Sequence, residues 1–233
     1  MKYDVIIVGA GPGGIYSAYE LMKKCSDKKI AVFDSGYSLK KRHCPIDGEK
    51  VKACIKCKSC SIMSGFGGAG AFSDGKYNIT NDFGGTLYEY IGKKAATELM
   101  QYVDDINMAH GGEGTKMYST AGTNLKKVCL QNRLKLLNAS VRHLGTDINL
   151  VVLGRLYDEL KEHVDFYFES PVSHIECLEN GGYRVWSNDK SYDCEKCIVS
   201  VGRSGSKWME HICKELDIPT KSNRVDLGVR VEL

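Results

Sequence analysis

A chain of 233 residues that is 42% hydrophobic and 26% charged has a globular composition, which excludes wholesale disorder. Thirty-two Lys and Arg against twenty-nine Asp and Glu leave a formal +3, too little to mark a nucleic-acid binder by charge alone. No apolar run approaches the ~18 residues of a membrane span, so no membrane partner is expected.

The chain opens on Asp4-Val5-Ile6-Ile7-Val8, a continuous β-branched run of the kind buried on both faces of a sheet. Gly9-Ala10-Gly11-Pro12-Gly13-Gly14 follows, and then Ile15, Ala18, Tyr19 and Met22 at i, i+3, i+4 and i+7 predict a helix. These glycines also break Met1 to Ile15 too often for a signal-peptide core. With nothing placing the chain outside the cytosol, a cytoplasmic location is expected and structural disulfides are not.

Strand, glycine turn and helix in that order give the GxGxxG pattern its context. Gly9 permits the tight turn, Gly11 admits a pyrophosphate, and Gly14 lets helix and strand pack closely. The helix N-terminus then offers free N–H groups to phosphates. A second strand, Ile30-Ala31-Val32-Phe33, ends at Asp34-Ser35, twenty residues past Gly14, where a carboxylate accepts hydrogen bonds from an adenosine ribose. The run from Asp4 to Ile15 resembles the start of the FAD domain in glutathione-reductase-like flavoproteins. Most of that superfamily carries Glu where this chain has Asp34.

Composition shifts between residues 40 and 76. Cys44-Pro45 precedes Cys54, Cys57 and Cys60, and seven Lys/Arg lie between Lys40 and Lys58. Spacing leaves three readings of the cysteines open: a zinc or iron–sulfur site, redox-active thiols activated by the lysines, or reduced thiols facing solvent. Next come Gly65, Gly67, Gly68 and Gly70, then Ser73-Asp74-Gly75-Lys76, a glycine density suited to backbone lying against a flat ligand. The cysteine run and the segment Gly67–Lys76 resemble an uncharacterised family of NAD(P)/FAD-dependent dehydrogenases. That resemblance implies that Gly67, Gly68 and Ser73 lie beside the flavin end of FAD, with NAD(P)H as a possible electron donor.

Thr86 to Glu89 reads as a capping box for a helix carrying Ile91, Ala95, Leu99, Tyr102, Val103 and Ile106 to Gly111-Gly112. A second helix is expected over 124–138. Arg142-His143-Leu144-Gly145-Thr146-Asp147 again resembles the dehydrogenase family, with Thr146 or Asp147 capping a helix to about His163. His143 is a candidate acid–base group or substrate contact, or a histidine that only packs. With Asp74 and Lys76 it completes the catalytic candidates.

Phe166–Ser170 and Val172–Cys177 are strand-like. Asn180-Gly181 signals a hairpin into Tyr183–Trp186, and another short strand ends at Asp193. After this meander, Cys197 to Gly202 resembles the second FAD signature of the same flavoproteins, whose Ala-Thr-Gly is here Ser200-Val201-Gly202. Val172 falls where that superfamily's backbone holds adenine. Cys194 and Cys197 read as structural. A helix after Ser204 carries Met209, Ile212, Cys213 and Leu216, and Val225–Leu233 alternates like a strand.

The expected fold is α/β: a Rossmann-like, three-layer FAD-binding domain over 1–80 and 164–233, with a β-meander. A mostly helical insertion spans 81–163, and the chain reads as the N-terminal part of a longer flavoprotein. The expected function is hydride or electron transfer through bound FAD, acting on a small molecule or redox partner. The rival is a metal- or RNA-binding module built on the basic cysteine loop, as in tRNA-modifying flavoproteins, with Cys44, Cys54, Cys57 and Cys60 as ligands.

Overall fold

The computed structural model describes residues 1–179 and 181–222. Strand β1 (Lys2–Val8) buries Ile6 and Ile7 completely, as its unbroken apolar run requires. Helix α1 (Pro12–Lys24) lays Ile15, Ala18, Tyr19 and Met22 on the core, the four positions that its period selects. Strand β2 (Ile30–Phe33), buried at every residue, then returns parallel to β1.

The middle of the chain departs more from its pattern. Strands β3 (Lys76–Ile79), β4 (Met117–Ser119) and β5 (Ser140–His143) make a small antiparallel sheet in the order β3-β5-β4. The single helix expected over 86–106 is two, α2 (Tyr88–Ile91) and α3 (Lys93–Asn107), parted at Gly92 where φ is +81°. Its predicted stripe is mostly open: Ile106 is buried and Val103 half-buried, whereas Ile91, Ala95, Leu99 and Tyr102 are exposed, and the helix buries Ala96 instead of Ala95. Helix α4 (Leu125–Gln131) is half the length expected and buries no residue. With no packed face to extend it, it ends near Arg133, whose φ is +59°.

Helix α5 (Gly145–Leu160) lies within the stretch read as an insertion, yet it buries Val152, Leu153, Leu156 and Leu160 in the same core as α1 and β1. It is the crossover into strand β6 (Val164–Tyr167), which joins β2 in parallel. A kinked turn at Met108–Gly112, with Gly111 at φ +110°, carries the buried His110 between these helices. One ring nitrogen lies 2.7 Å from the Ile106 carbonyl and the other 2.7 Å from Glu159.

Strands β7 (Val172–Cys177) and β8 (Tyr183–Ser187) form the expected meander with β9 (Lys190–Val199). Where the sequence predicts two strands around residues 190–201, one continuous strand is found. β9 pairs antiparallel with β8 and parallel with β1, so its polar middle (Asp193, Glu195, Lys196) runs between partners rather than breaking it. Among the described residues the main sheet has the order β6-β2-β1-β9-β8-β7. The chain therefore steps outward from β1 to β6 and then crosses to the other side of β1. A second core, with Tyr3, Phe33, Val172 and Val185, fills the opposite face beneath α6 (Ser206–Glu215). Asn180 and the strand expected over 225–233 lie outside the described residues.

Candidate nucleotide-binding site

At the C-terminal end of β1 the chain turns through Gly9, whose φ is +106°. A Cβ on Gly9 would stand 2.5 Å from the Ser200 carbonyl oxygen, and one on Gly14 only 1.8 Å from that of Gly9. Both glycines are thus fixed by the packing of the fold itself. Gly11 is different. Its nearest neighbour would be the Gly68 Cα at 3.8 Å, so the space in front of it is open. Gly11 is also the residue before α1, with Pro12 beginning the helix and no acidic residue in the first turn. Among the described residues no side chain caps this end. Free N–H groups and the positive end of the helix dipole therefore face that space.

Asp34 sits where the sequence places it, but its carboxylate is already engaged. One oxygen accepts from the backbone N–H of Gly36 (2.7 Å) and Gly65 (2.9 Å), the other from Ala10 (2.8 Å). It staples the glycine turn, the exit of β2 and the later glycine loop together. One acceptor direction is left for a ribose hydroxyl, since a carboxylate offers about four.

The glycine loop reaches the same place by a second route. Gly67 N–H donates to the Ala10 carbonyl (2.8 Å), and Phe66 N–H to that of Tyr37 (3.1 Å). Beneath it lies Arg42, a buried residue that sequence reasoning missed. Its guanidinium donates to the carbonyls of Phe66 (2.6 Å), Ser61 (2.8 Å) and Ile62 (2.9 Å), and covers the Phe72 ring. Burial pushes this guanidinium below its ordinary value, and the Asp34 charge opposes that shift. The one advance signal was an arginine in a lysine-rich run, where only Arg has the fork to bind three carbonyls.

From the other side, Ser200 at the end of β9 donates its N–H to Val8 and lies against Gly9 and Gly13. Gly202, with φ at +64°, is exposed two residues on. Ser170 N–H binds the Asp34 carbonyl (2.9 Å), which brings Val172 alongside the exit of β2. Gly9–Gly14, Asp34, Gly67, Gly68, Val172 and Gly202 are thus gathered at one edge of the parallel strands. Ser35 and Ser73 are exposed.

Two segments nearly seventy residues apart meet at the far end of the glycine loop. Lys76 pairs directly with His143 across the β3–β5 ladder, and Lys76 Nζ lies 2.6 Å from Asp74. Lys76 holds the Asp74 carboxyl below the usual carboxylate range. Thr146 does not cap α5. Its hydroxyl donates to the Ser73 carbonyl (3.0 Å). Asn149, buried and also missed, donates to the Gly70 and Ala71 carbonyls and accepts from the Tyr77 hydroxyl.

The cysteine loop leaves the glycine loop through a narrow neck. Arg42 closes its neck onto Ser61, and Asp47 organises one limb by accepting from the N–H groups of Glu49, Lys50 and Val51. Cys54, Cys57 and Cys60 lie in irregular backbone with their side chains in solvent, and Cys44 is half-buried near the neck. Among the described residues no three His, Cys, Asp or Glu side chains converge on one point. All ten cysteines are unpaired. Cys194 and Cys197 pack in the second core, and the hydrogen bond to Cys194, with burial, raises the Cys197 thiol above its ordinary value. No helix among the described residues is long and apolar enough to cross a membrane.

No family model matches the chain. It is 24% identical over 234 residues to an uncharacterised protein of Clostridium beijerinckii, covering all of this chain and 37% of that one. It is similar to the structure of glycine oxidase from Geobacillus kaustophilus (15% identity, TM-score 0.50, 93% of this chain and 58% of that one). An L-α-glycerophosphate oxidase of Mycoplasma pneumoniae with FAD bound (14%, TM-score 0.49, 92% and 57%) is a further match. So is NikD, an amino acid oxidase essential for nikkomycin biosynthesis (9%, TM-score 0.49, 92% and 54%). The chain spans just over a third of the relative and a little over half of these structures. What the likeness to glycine oxidase establishes is the fold: a mixed α/β architecture shared with that oxidase.

Proposed function

We propose that this chain binds FAD and belongs to an FAD-dependent oxidoreductase. The observation that carries the reading is the uncapped start of α1. It opens on free space at the C-terminal end of β1, where the chain order turns from β2 on one side to β9 on the other. Crevices at such switch points are where open α/β sheets bind nucleotides. The pyrophosphate would rest on the backbone of Gly11 to Gly14. The adenosine would lie along Asp34, Ser35 and Val172, and Gly67, Gly68, Ser73 and Gly202 would border the remainder. Bound there, FAD supplies the hydride or electron transfer, while this chain binds and orients it. Asp34 and Arg42 keep the two glycine segments in register, so the cradle is formed before any ligand arrives.

Titrating FAD into the purified chain, followed by flavin fluorescence and anisotropy, tests the reading. Saturable binding in the micromolar range (about −8 kcal/mol) is expected, with competition by ADP. A chain that is folded by circular dichroism and leaves the flavin signal unchanged would overturn it.

A further inference from the structure

We propose that Lys76 and His143 form a binding site for a small carboxylate at the end of the glycine loop, with Asp74 as the resident counter-ion that the ligand displaces. Three observations combine. The first is geometry: Lys76 and His143 are directly paired in the antiparallel β3–β5 ladder, so their side chains stand on the same face. The neighbouring pair, Tyr77 and Arg142, turns the other way, to Asn149 and the buried Asp104.

The second is rigidity. Gly75, with φ at +62°, is pressed against the Gly145 carbonyl, Leu144 and Asn149, where a Cβ would meet atoms at 2.9–3.2 Å. Leu144 N–H donates to Gly75 (2.9 Å) and Gly145 N–H to Asp74 (3.1 Å), while Thr146 holds Ser73. The three side chains therefore project from a braced junction, the support that a binding site needs.

The third is charge. Two basic side chains share one carboxylate. Asp74 engages Lys76, while His143, exposed, has no hydrogen-bond partner among the described residues. The Asp74 and Lys76 side chains are 56% and 53% exposed, so their pairing is held only weakly against solvent and yields readily to a competing anion. An incoming carboxylate would take the Lys76 ammonium in place of Asp74 and accept a hydrogen bond from the His143 ring.

Placing this site on the substrate side of the flavin rests on the FAD reading above. Anion binding by Lys76 and His143 does not, and it is measured without flavin. The probe is acetate, followed by the His143 ring resonances in 1H–15N spectra of the whole chain, at constant ionic strength and pH 6.5. A saturable shift is expected, weakened at least tenfold in Lys76→Met. Asp74→Asn removes the competing carboxylate, so binding should tighten severalfold. A purely structural ion pair gives no such gain. Absence of a saturable shift in both wild type and Asp74→Asn would overturn the proposal, as would an unchanged response in Lys76→Met. FAD titrated in parallel separates the two readings: acetate binding without FAD binding sinks the flavin and keeps the anion site.

Discussion

Replacing Asp34 by Asn tests whether this acid serves a ligand or the fold. The substitution preserves shape, removes the charge and turns one acceptor oxygen into a donor. In its better orientation the amide oxygen keeps Gly36 and Gly65, and its NH2 then confronts the N–H of Ala10, a residue with no solvent exposure. A buried donor left unpaired costs about 1–3 kcal/mol. The two surviving bonds lose their charge assistance, which roughly doubles the strength of such bonds. Allowing for the half-exposed position of Asp34, the loss should be about 2–4 kcal/mol. Urea unfolding followed by circular dichroism would show it as a midpoint lowered by about 1–2 M, for a slope of roughly 2 kcal/mol per M. FAD affinity should fall as well, because the staple aligns both glycine segments. An Asp34→Asn variant within about 0.5 kcal/mol of wild type, with only nucleotide binding impaired, would refute the staple.

Other substitutions read the same site. Gly11→Ala enters open space and should leave stability within about 1 kcal/mol, while weakening FAD at least tenfold; Gly14→Ala drives a methyl into the Gly9 carbonyl and should cost about 3 kcal/mol or prevent folding. Arg42→Met orphans three carbonyls at the neck of the cysteine loop. It should cost about 2–4 kcal/mol, and limited trypsin digestion should cut at Lys50–Lys58 far sooner than in wild type. The hydrogen bond from His110 and the Lys23 ion pair hold the Glu159 carboxyl below its ordinary value of 4.5. Its folded value lies below its unfolded one, so its stabilisation is complete above pH 4.5 and is lost as pH falls through the lowered value. Glu159→Gln should therefore flatten the fall in stability as pH drops below about 4.5, measured by thermal melts across the acid range.

How legible these features were depended on what holds each one. β1, α1, β2 and the meander are secured by apolar burial, which writes a period into the sequence. The small β3–β5–β4 sheet is not. Its inward side chains are Tyr77, bound to Asn149, and Arg142, clamped in two places on the buried Asp104 and donating to the Thr115 carbonyl. Strands of three or four residues anchored by polar pairs leave no hydrophobic alternation to find. β9 reads as two strands for a related reason: its charged middle looks like a turn unless one knows that β1 and β8 flank it. Asp34 was found by spacing, yet its role was hidden, because one of its partners, Gly65, lies thirty-one residues away.

The same contrast orders the molecule physically. Apart from the open space before Gly11, the glycine turn is held by close contacts: Gly14 on Gly9, Gly9 on Ser200, Gly67 on Ala10, and Asp34 on Ala10, Gly36 and Gly65. Segments 83–95 and 118–137, on either side of the packed α3, have the opposite character: none of their residues is buried. Tyr90, Leu130 and Leu134 are each more than 60% exposed, and α4 exists without one buried residue. A helix of seven residues is too short to persist on its own backbone hydrogen bonds. Order should therefore concentrate where FAD is proposed to bind and thin out across those two segments, with α5 on the ordered side, since it buries Leu156 and Leu160 in the core shared with α1 and β1 and presents Asn149 to the glycine loop. A cradle preformed in this way offers FAD a site at little ordering cost. The carboxylate site sits at the seam between the two regimes, on backbone braced from the rigid side and open on the other.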